Sequence, residues 1–330
     1  VGFVTEVGSR TSHTSIMARA LEIPAVVGVK DALELIEAGE MLVVDGLRGR
    51  VVVAPNDAQI DDAERRAARF SAMSEKLDGN LDRPATTQEG VRVRMYANIE
   101  LPEEATIAVK HGAEGVGLYR TEFMYINRTT PPDEDEQLDM FQRVMTAMGD
   151  RPITLRTFDI GGDKFVTTFE LPGELNPMLG LRAVRLALTE REVFLTQLRA
   201  MVRAAAGRRL RIMVPLLATV DELTAVRSLL DEAMATVAAR GGQVAGEISL
   251  GAMIEVPAAA VMADRFARAA DFMSIGTNDL VQYALAVDRT NRALAHLASP
   301  YDPAILRLIH GVIRAGREAV AGSDVPSGVR

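Results

Sequence analysis

The chain has 330 residues, 48% hydrophobic and 25% charged, with a formal net charge of -8. That length allows two or more domains, and the acidic balance argues against general nucleic-acid or anionic-membrane binding, so an anion site must be assembled locally from a few Arg and Lys. Cysteine is absent, which excludes disulfides, zinc-thiolate sites and thiol chemistry in this chain. No apolar run approaches the roughly 18 residues needed to span a bilayer. No signal peptide is visible, and Val1 stands where a Met would start the pattern; the expectation is a cytoplasmic chain cut at its start.

Residues 1–55 read as a small α/β unit. A helix follows His13 in "VGSRTSHTSIMARALEIPAVVG", and "AVVGV" and "MLVVDGLRGRVVV" read as short strands, with a turn at Gly46 to Gly49. Residues 56–77 carry Ile60, Ala63, Ala67, Phe70 and Leu77 at helical spacing, a long charged connector. "DGNLDRPATTQEG" marks a linker, so 56–90 is read as connector helix plus linker.

From residue 91 a strand–loop–helix rhythm begins. The strands read are "VRVRMYAN", "GVGLY", "ITLRTFD", "LRIMVP", "LGAMIEV" and "FMSIG", separated by helical patterns such as "TVDELTAVRSLLDEAMATVAAR". Strands alternating with helices imply right-handed parallel βαβ units, in a TIM barrel or a doubly wound sheet. A seventh apolar stretch, "SDVPSGV", is starting at Arg330, so an eight-stranded barrel would not close within 91–330.

In a parallel α/β barrel chemistry sits at the C-terminal ends of the strands. Those positions carry Arg120, Arg156, Lys164, Arg182 and Arg289, the carboxylates Glu255 and Asp279, and the amide Asn278. Guanidinium groups match carboxylate and phosphate in bidentate fashion. Two carboxylates from neighbouring strands suit a Mg²⁺ ion that keeps positions for substrate phosphate and water. Each Arg alone is more often a salt-bridge partner than a clamp; their convergence is what points to a small phosphorylated anion. His13 lies at a helix start among Arg10, Thr11, Ser12, Thr14 and Ser15. Orphan N–H groups and the helix dipole stabilise a phosphoryl group there, so a neutral imidazole in that place suits a phosphohistidine. The bland alternative is an ordinary helix start beside a hydroxyl cap. His111, His296 and His310 have no such neighbours and read as structural or solvated.

"GSRTSHTSIMARALEIPAVVG" resembles the phosphohistidine segment of the phosphoenolpyruvate–protein phosphotransferases, enzyme I of the bacterial sugar phosphotransferase system, with Ser9 where the usual form has a second Gly. "GVGLYRTEFMY", "RTFDIGGDK", "NPMLGLRAVR", "LRIMVP", "IEVPAA" and "FMSIGTNDLVQYALAVDR" match that family's phosphoenolpyruvate-binding barrel in order and spacing. The resemblance implies a partial swivelling phosphohistidine β/α domain (1–55) plus an incomplete TIM (β/α)8 barrel (91–330). It implies transfer of a phosphoryl group from phosphoenolpyruvate to Nε2 of His13, then to the carrier protein HPr. Arg120, Arg156, Arg182 and Arg289 then resemble the substrate arginines, Lys164 and Asn278 further phosphate contacts, and Glu255 and Asp279 the Mg²⁺ ligands. The resemblance further implies a homodimer through the barrel domain. It also implies that the family's HPr-docking subdomain and its cysteine general acid lie outside this stretch. Two alternatives stay open: a pyruvate phosphate dikinase or phosphoenolpyruvate synthase type of enzyme, which shares the histidine domain and barrel, and a non-catalytic phosphoenolpyruvate-binding regulator.

Overall fold

In the computed structural model the described residues are 2–7, 15, 18, 23–81, 83–126, 128–161, 174–244, 246–288, 291 and 293–321. They fall into two compact units, Val1–Arg94 with Lys110–Gly112, and Met95–Val109 with Ala113–Arg330.

The first unit holds two small sheets. Strands β1 (Phe3–Thr5) and β2 (Ala25–Val27) pair in parallel, and β3 (Leu42–Asp45) and β4 (Arg50–Val53) form an antiparallel hairpin. The hairpin turn runs through Gly49, whose φ of 63° favours a residue without a Cβ. Asp45 closes the turn by accepting the Arg48 N–H at 3.0 Å. The short helix α1 (Ala32–Leu35) and strand β1 carry too little periodicity to be read from sequence. Helix α2 (Asp57–Asp78) starts at a capping box in which Asn56 accepts from the Gln59 backbone and Gln59 bonds back to the Asn56 N–H. None of its residues is buried: Ile60 and Ala63 are half-covered, while Ala67, Phe70 and Leu77 are exposed. The expected strand at 91–98 is shorter than its alternation suggests. Thr87 donates to Val91 and Val93 donates to Ala85, so 91–93 folds back on 85–87 and only residues from Ala97 join a sheet.

The second unit is a curled, six-stranded parallel sheet with neighbours in strict sequence order. Its strands are β5 (Ala97–Ile99), β6 (Val116–Tyr119), β7 (Ile153–Arg156), β8 (Arg209–Val214), β9 (Glu247–Ile254) and β10 (Phe272–Ile275). The intervening helices are α3 (Pro102–Lys110), α4 (Glu134–Met148), α5 (Val184–Thr189), α6 (Arg191–Ala204), α7 (Val220–Ala239), α8 (Pro257–Val261) and α9 (Ala263–Ala269). Helices α10 (Thr277–Leu285) and α11 (Pro303–Ala321) follow β10. This is a half-barrel, the βαβ repetition expected from residue 91 onward. The seventh stretch, 323–329, lies outside the described residues.

The period-two alternation of a strand sorts its side chains between faces. Val116, Ile153, Leu155, Leu210, Ile212, Leu250, Ala252 and Ile254 face the helices and join the main core with Phe141, Phe194 and Phe266. Leu118, Met213 and Met253 form a separate small cluster on the concave face, with Phe272 packed against it. Gly251 allows that packing, because a Cβ there would stand 2.3 Å from the Phe272 ring. The same alternation sends Arg156 to the concave face, where its Nη1 lies 3.8 Å from Met253 Sδ.

Phe141 is fully buried and sits edge-on to Tyr119 with ring centroids 6.1 Å apart. Phe141→Ala is expected to lower the unfolding free energy in urea by about 3–5 kcal/mol through lost transfer energy and a cavity. Phe70→Ala on the exposed side of α2, where Phe70 is 60% accessible, is expected to change it by less than about 0.5 kcal/mol.

Candidate functional site

Six charged side chains meet where β6, β7, β9 and β10 end. Glu122 opens the 3₁₀ turn Glu122–Tyr125 after β6, Arg156 is the last residue of β7, and Asp159 lies in the loop beyond it. Arg182 precedes α5, Glu255 directly follows β9, and Asp279 lies in the first turn of α10. All six are buried, Arg182 completely.

Arg156 Nη2 donates to Glu122 Oε1 at 2.7 Å and lies 3.5 Å from Asp159 Oδ2. Arg182 Nη2 donates to both Asp159 oxygens, at 2.9 and 3.0 Å, and lies 3.7 Å from Asp279 Oδ2. Its Nη1 donates to Tyr283 Oη at 3.0 Å, one turn further along α10. The backbone tightens the array: Asp159 N–H donates to Glu122 Oε1 at 2.9 Å, and Leu216 N–H donates to Glu255 Oε1 at 2.7 Å. Two glycines make room. Gly161 has a φ of +105°, and a Cβ on it would stand 2.7 Å from the Arg182 Cβ. A Cβ on Gly276 would stand 2.4 Å from Glu255 Oε2, so the missing side chain is the wall of the Glu255 cradle.

Two guanidiniums thus face four carboxyl groups in a dry enclosure. Burial by itself would lower the pKa of Arg156; Glu122, Asp159 and Glu255 outweigh it and hold the guanidinium charged. Burial acts likewise on Arg182, and Asp159 and Asp279 outweigh it. Glu255 is the strained member. Burial first, then the like charges of Asp159 and Asp279, push its carboxyl up to about 8, against the opposing pull of Arg156. Among the described residues no three His, Asp or Glu side chains close on one point as a protein-only metal cage. Glu255 and Asp279 nevertheless fit a hard divalent cation that keeps water or phosphate on its other positions: both are oxygen donors from adjacent strand ends, in a site with more carboxyl than guanidinium.

Of the residues singled out from sequence, Arg156, Arg182, Glu255 and Asp279 come together here. Arg120 instead pairs with Glu100 at a partly exposed position after β6, and Asn278 is exposed at the start of α10. His13, Lys164 and Arg289 lie outside the described residues. His111, His296 and His310 are exposed. Glu122, Asp159 and Tyr283 are not among the residues expected from the sequence. The first two stand in the same post-strand segments as Arg120 and Arg156, and the need of a buried guanidinium for a carboxylate was the signal that could have found them.

The family profile described as "PEP-utilising enzyme, PEP-binding domain" matches residues 74–325. The chain belongs to the PEP-utilising enzymes. A second profile of the family, "PEP-utilising enzyme, mobile domain", matches residues 1–49. Similar curated proteins are named phosphoenolpyruvate-protein phosphotransferase. One from Bacillus sp. (strain S) is 46% identical over 314 residues, 95% of this chain and 54% of the relative. One from Staphylococcus carnosus is 46% identical over 314 residues, 95% of this chain and 55% of the relative. One from Listeria monocytogenes is 45% identical over 317 residues, 96% of this chain and 55% of the relative. The chain spans about half the length of the curated relatives it matches. Among solved structures, the citrate synthase SbnG aligns at a TM-score of 0.39 and 11% identity, covering 74% of this chain and 78% of that one, a likeness that bears on neither fold nor function.

Asp159→Ala removes the carboxylate shared by both buried arginines and is expected to cost about 3–5 kcal/mol in urea unfolding, because the buried Arg182 guanidinium loses the acceptor that meets it with both oxygens. Glu255 gives a pH signature. Its folded pKa is raised from 4.5 to about 8, so the native state binds more protons than the unfolded state across that window. Stability in chelator should therefore fall as pH rises from about 4.5 towards 8, and Glu255→Gln should flatten that slope in a series of urea melts.

Proposed function

We propose that this chain is the catalytic portion of a phosphoenolpyruvate–protein phosphotransferase. It takes the phosphoryl group of phosphoenolpyruvate onto His13 and passes it to the carrier protein HPr, the first step of sugar uptake by the phosphotransferase system. In this reading residues 1–55 are the phosphohistidine domain, 56–90 the connector helix and linker, and 91–330 the phosphoenolpyruvate-binding barrel domain, which also forms a homodimer. The protein works in the cytoplasm, and none of the helices among the described residues is long and apolar enough to cross a membrane.

The observation that carries the proposal is the buried set of Arg156, Arg182, Glu255 and Asp279 at the strand ends. It combines fixed cations for an anionic substrate with carboxylates that call for a divalent cation. A Mg²⁺ ion held by Glu255 and Asp279 would supply charge to the phosphate and the enolate oxygen of the substrate. The chain's own groups do the rest. Arg156 and Arg182 bind and orient the phosphate and carboxylate, with Arg120, Lys164, Asn278 and Arg289 as further contacts. The His13 nitrogen lone pair forms the new N–P bond while the bond from phosphorus to the enol oxygen breaks. The electron pair of that bond stays on the leaving oxygen, giving the enolate of pyruvate, which takes up a proton afterwards. Phosphoryl transfer of this kind is mostly positioning and charge stabilisation, which suits arginines on rigid strand ends. The name shared by the relatives supports a protein acceptor over a dikinase reaction.

Incubation with ³²P-labelled phosphoenolpyruvate and Mg²⁺ is expected to label the chain. The label should be acid-labile and alkali-stable, abolished by chelator and absent from His13→Ala. Calorimetry should show phosphoenolpyruvate binding weakened at least about tenfold in Arg182→Met, in line with loss of a bidentate charge-assisted contact. Binding without any label would point to a regulator that does not turn over, and absence of binding would remove the substrate assignment altogether.

A further inference from the structure

Behind the charged cluster a second polar array lies wholly inside the helix-facing core. Gln197 of α6 is fully buried, as are Thr121, Tyr125, Thr157 and Phe158 around it. The Gln197 side-chain oxygen accepts the Phe158 N–H at 3.0 Å. Its amide nitrogen donates to Thr121 Oγ1 at 3.2 Å and to Tyr125 Oη at 3.4 Å. Thr121 Oγ1 in turn donates to the Arg156 carbonyl at 3.0 Å. The amide orientation is dictated by these partners, because exchanging its oxygen and nitrogen would set an NH₂ against the Phe158 N–H.

The array joins two loops that carry different parts of the site. Thr121 and Tyr125 belong to the segment after β6: Thr121 stands between Arg120 and Glu122, and Tyr125 ends the 3₁₀ turn that Glu122 opens. Arg156 and Phe158 belong to the end of β7 and flank the path to Asp159. Consecutive backbone N–H groups are thereby held by different acceptors: Phe158 by Gln197, and Asp159 by Glu122 at 2.9 Å. The hydrogen-bonded contact between Glu122 Oε1 and Arg156 Nη2, 2.7 Å, spans the same two loops on the site side. One amide on a helix behind the sheet and one carboxylate in front of it therefore set the spacing of these segments. An apolar side chain would fill the core equally well at far lower desolvation cost, so packing alone does not account for an amide in this place.

We propose that Gln197 is a positioning residue. It locks the loops after β6 and β7 in register, so that Glu122 and Asp159 hold Arg156 and Arg182 in the geometry that receives the substrate anion. Gln197 touches neither substrate nor reacting atoms; it acts through Thr121 and the Arg156–Asp159 backbone. For the substrate arm of the test this rests on the phosphoenolpyruvate reading above, whereas the loop register does not.

Two independent measurements on the full chain test it. The first is amide hydrogen exchange at Phe158 and Asp159, at a temperature where each variant has the circular dichroism of the native protein. Exchange should accelerate at these amides in Gln197→Met, with little change at β8 and β9. The second is calorimetric titration with phosphoenolpyruvate and Mg²⁺, where the Kd should rise about tenfold or more, the usual scale for outer partners of a binding site. Thr121→Val, which loses only the hydroxyl link, should act in the same direction, and Thr121→Ser should stay near the native values in both measurements. If Gln197→Met does not fold, the Thr121 pair decides the question by the same readouts. The proposal is overturned if the Gln197 or Thr121→Val protein merely melts earlier, with native exchange at 158–159 and native Kd. If the unmodified chain does not bind phosphoenolpyruvate, the substrate assignment fails, and the exchange result still decides the role of Gln197.

Discussion

A guanidinium with no access to water persists in a folded protein only if carboxylates touch it, and Arg182 has no such access. Asp159 meets it with both oxygens, Asp279 lies within 4 Å, and Tyr283 takes a third donor. Asp159 also reaches Arg156, which Glu122 holds from the other side. Removing Asp159 breaks contacts to both guanidiniums at once, so the two arginines are coupled through one carboxylate. This constraint ties the ends of β6, β7, β9 and β10 together through directional, charge-assisted hydrogen bonds, which fix geometry in a way that non-directional apolar contacts do not.

The same constraint sets fixed cations and carboxylates side by side, the arrangement on which the proposed function rests. The arginines are held charged, oriented and dry, which is the state in which they act most strongly on a developing negative charge. Burial first, and then the carboxylates of Asp159 and Asp279, push the Glu255 carboxyl up to about 8, a penalty that a divalent ion would relieve. Glycine at 276 and at 161 lets these long side chains pass close to the backbone. The arrangement costs folding energy at the strand ends and places that cost where binding can offset it, a division of labour common in active sites.

The half-barrel was readable in the chain because its signals are local. Apolar runs such as "LGAMIEV" alternate with helical periodicity, and a parallel sheet follows from that alternation. Strand limits were less readable. Residues 91–93 alternate like a strand yet fold back on 85–87, because pairing needs a neighbour that alternation does not supply. Arg156, Glu255 and Asp279 could be placed at strand ends from position alone. Arg120 could not be told apart from them, although Glu100 claims it. Glu122 and Asp159 were passed over because their importance depends on which charges lie next to them in space.

From the sequence alone came the strand–helix alternation of the half-barrel, the location of cations and carboxylates after the strands, and the match to a family whose motifs are runs of adjacent residues. These are properties of short stretches, where period and spacing are intrinsic to the chain. Only the tertiary structure decided which charges are buried and which partner each one takes. It also decided that an amide on α6, some forty residues along the chain from Phe158, holds the loops behind the site. Burial and pairing arise when segments distant in sequence share one low-dielectric space, and the strength of a charge or of a hydrogen bond is set there rather than by its neighbours along the chain.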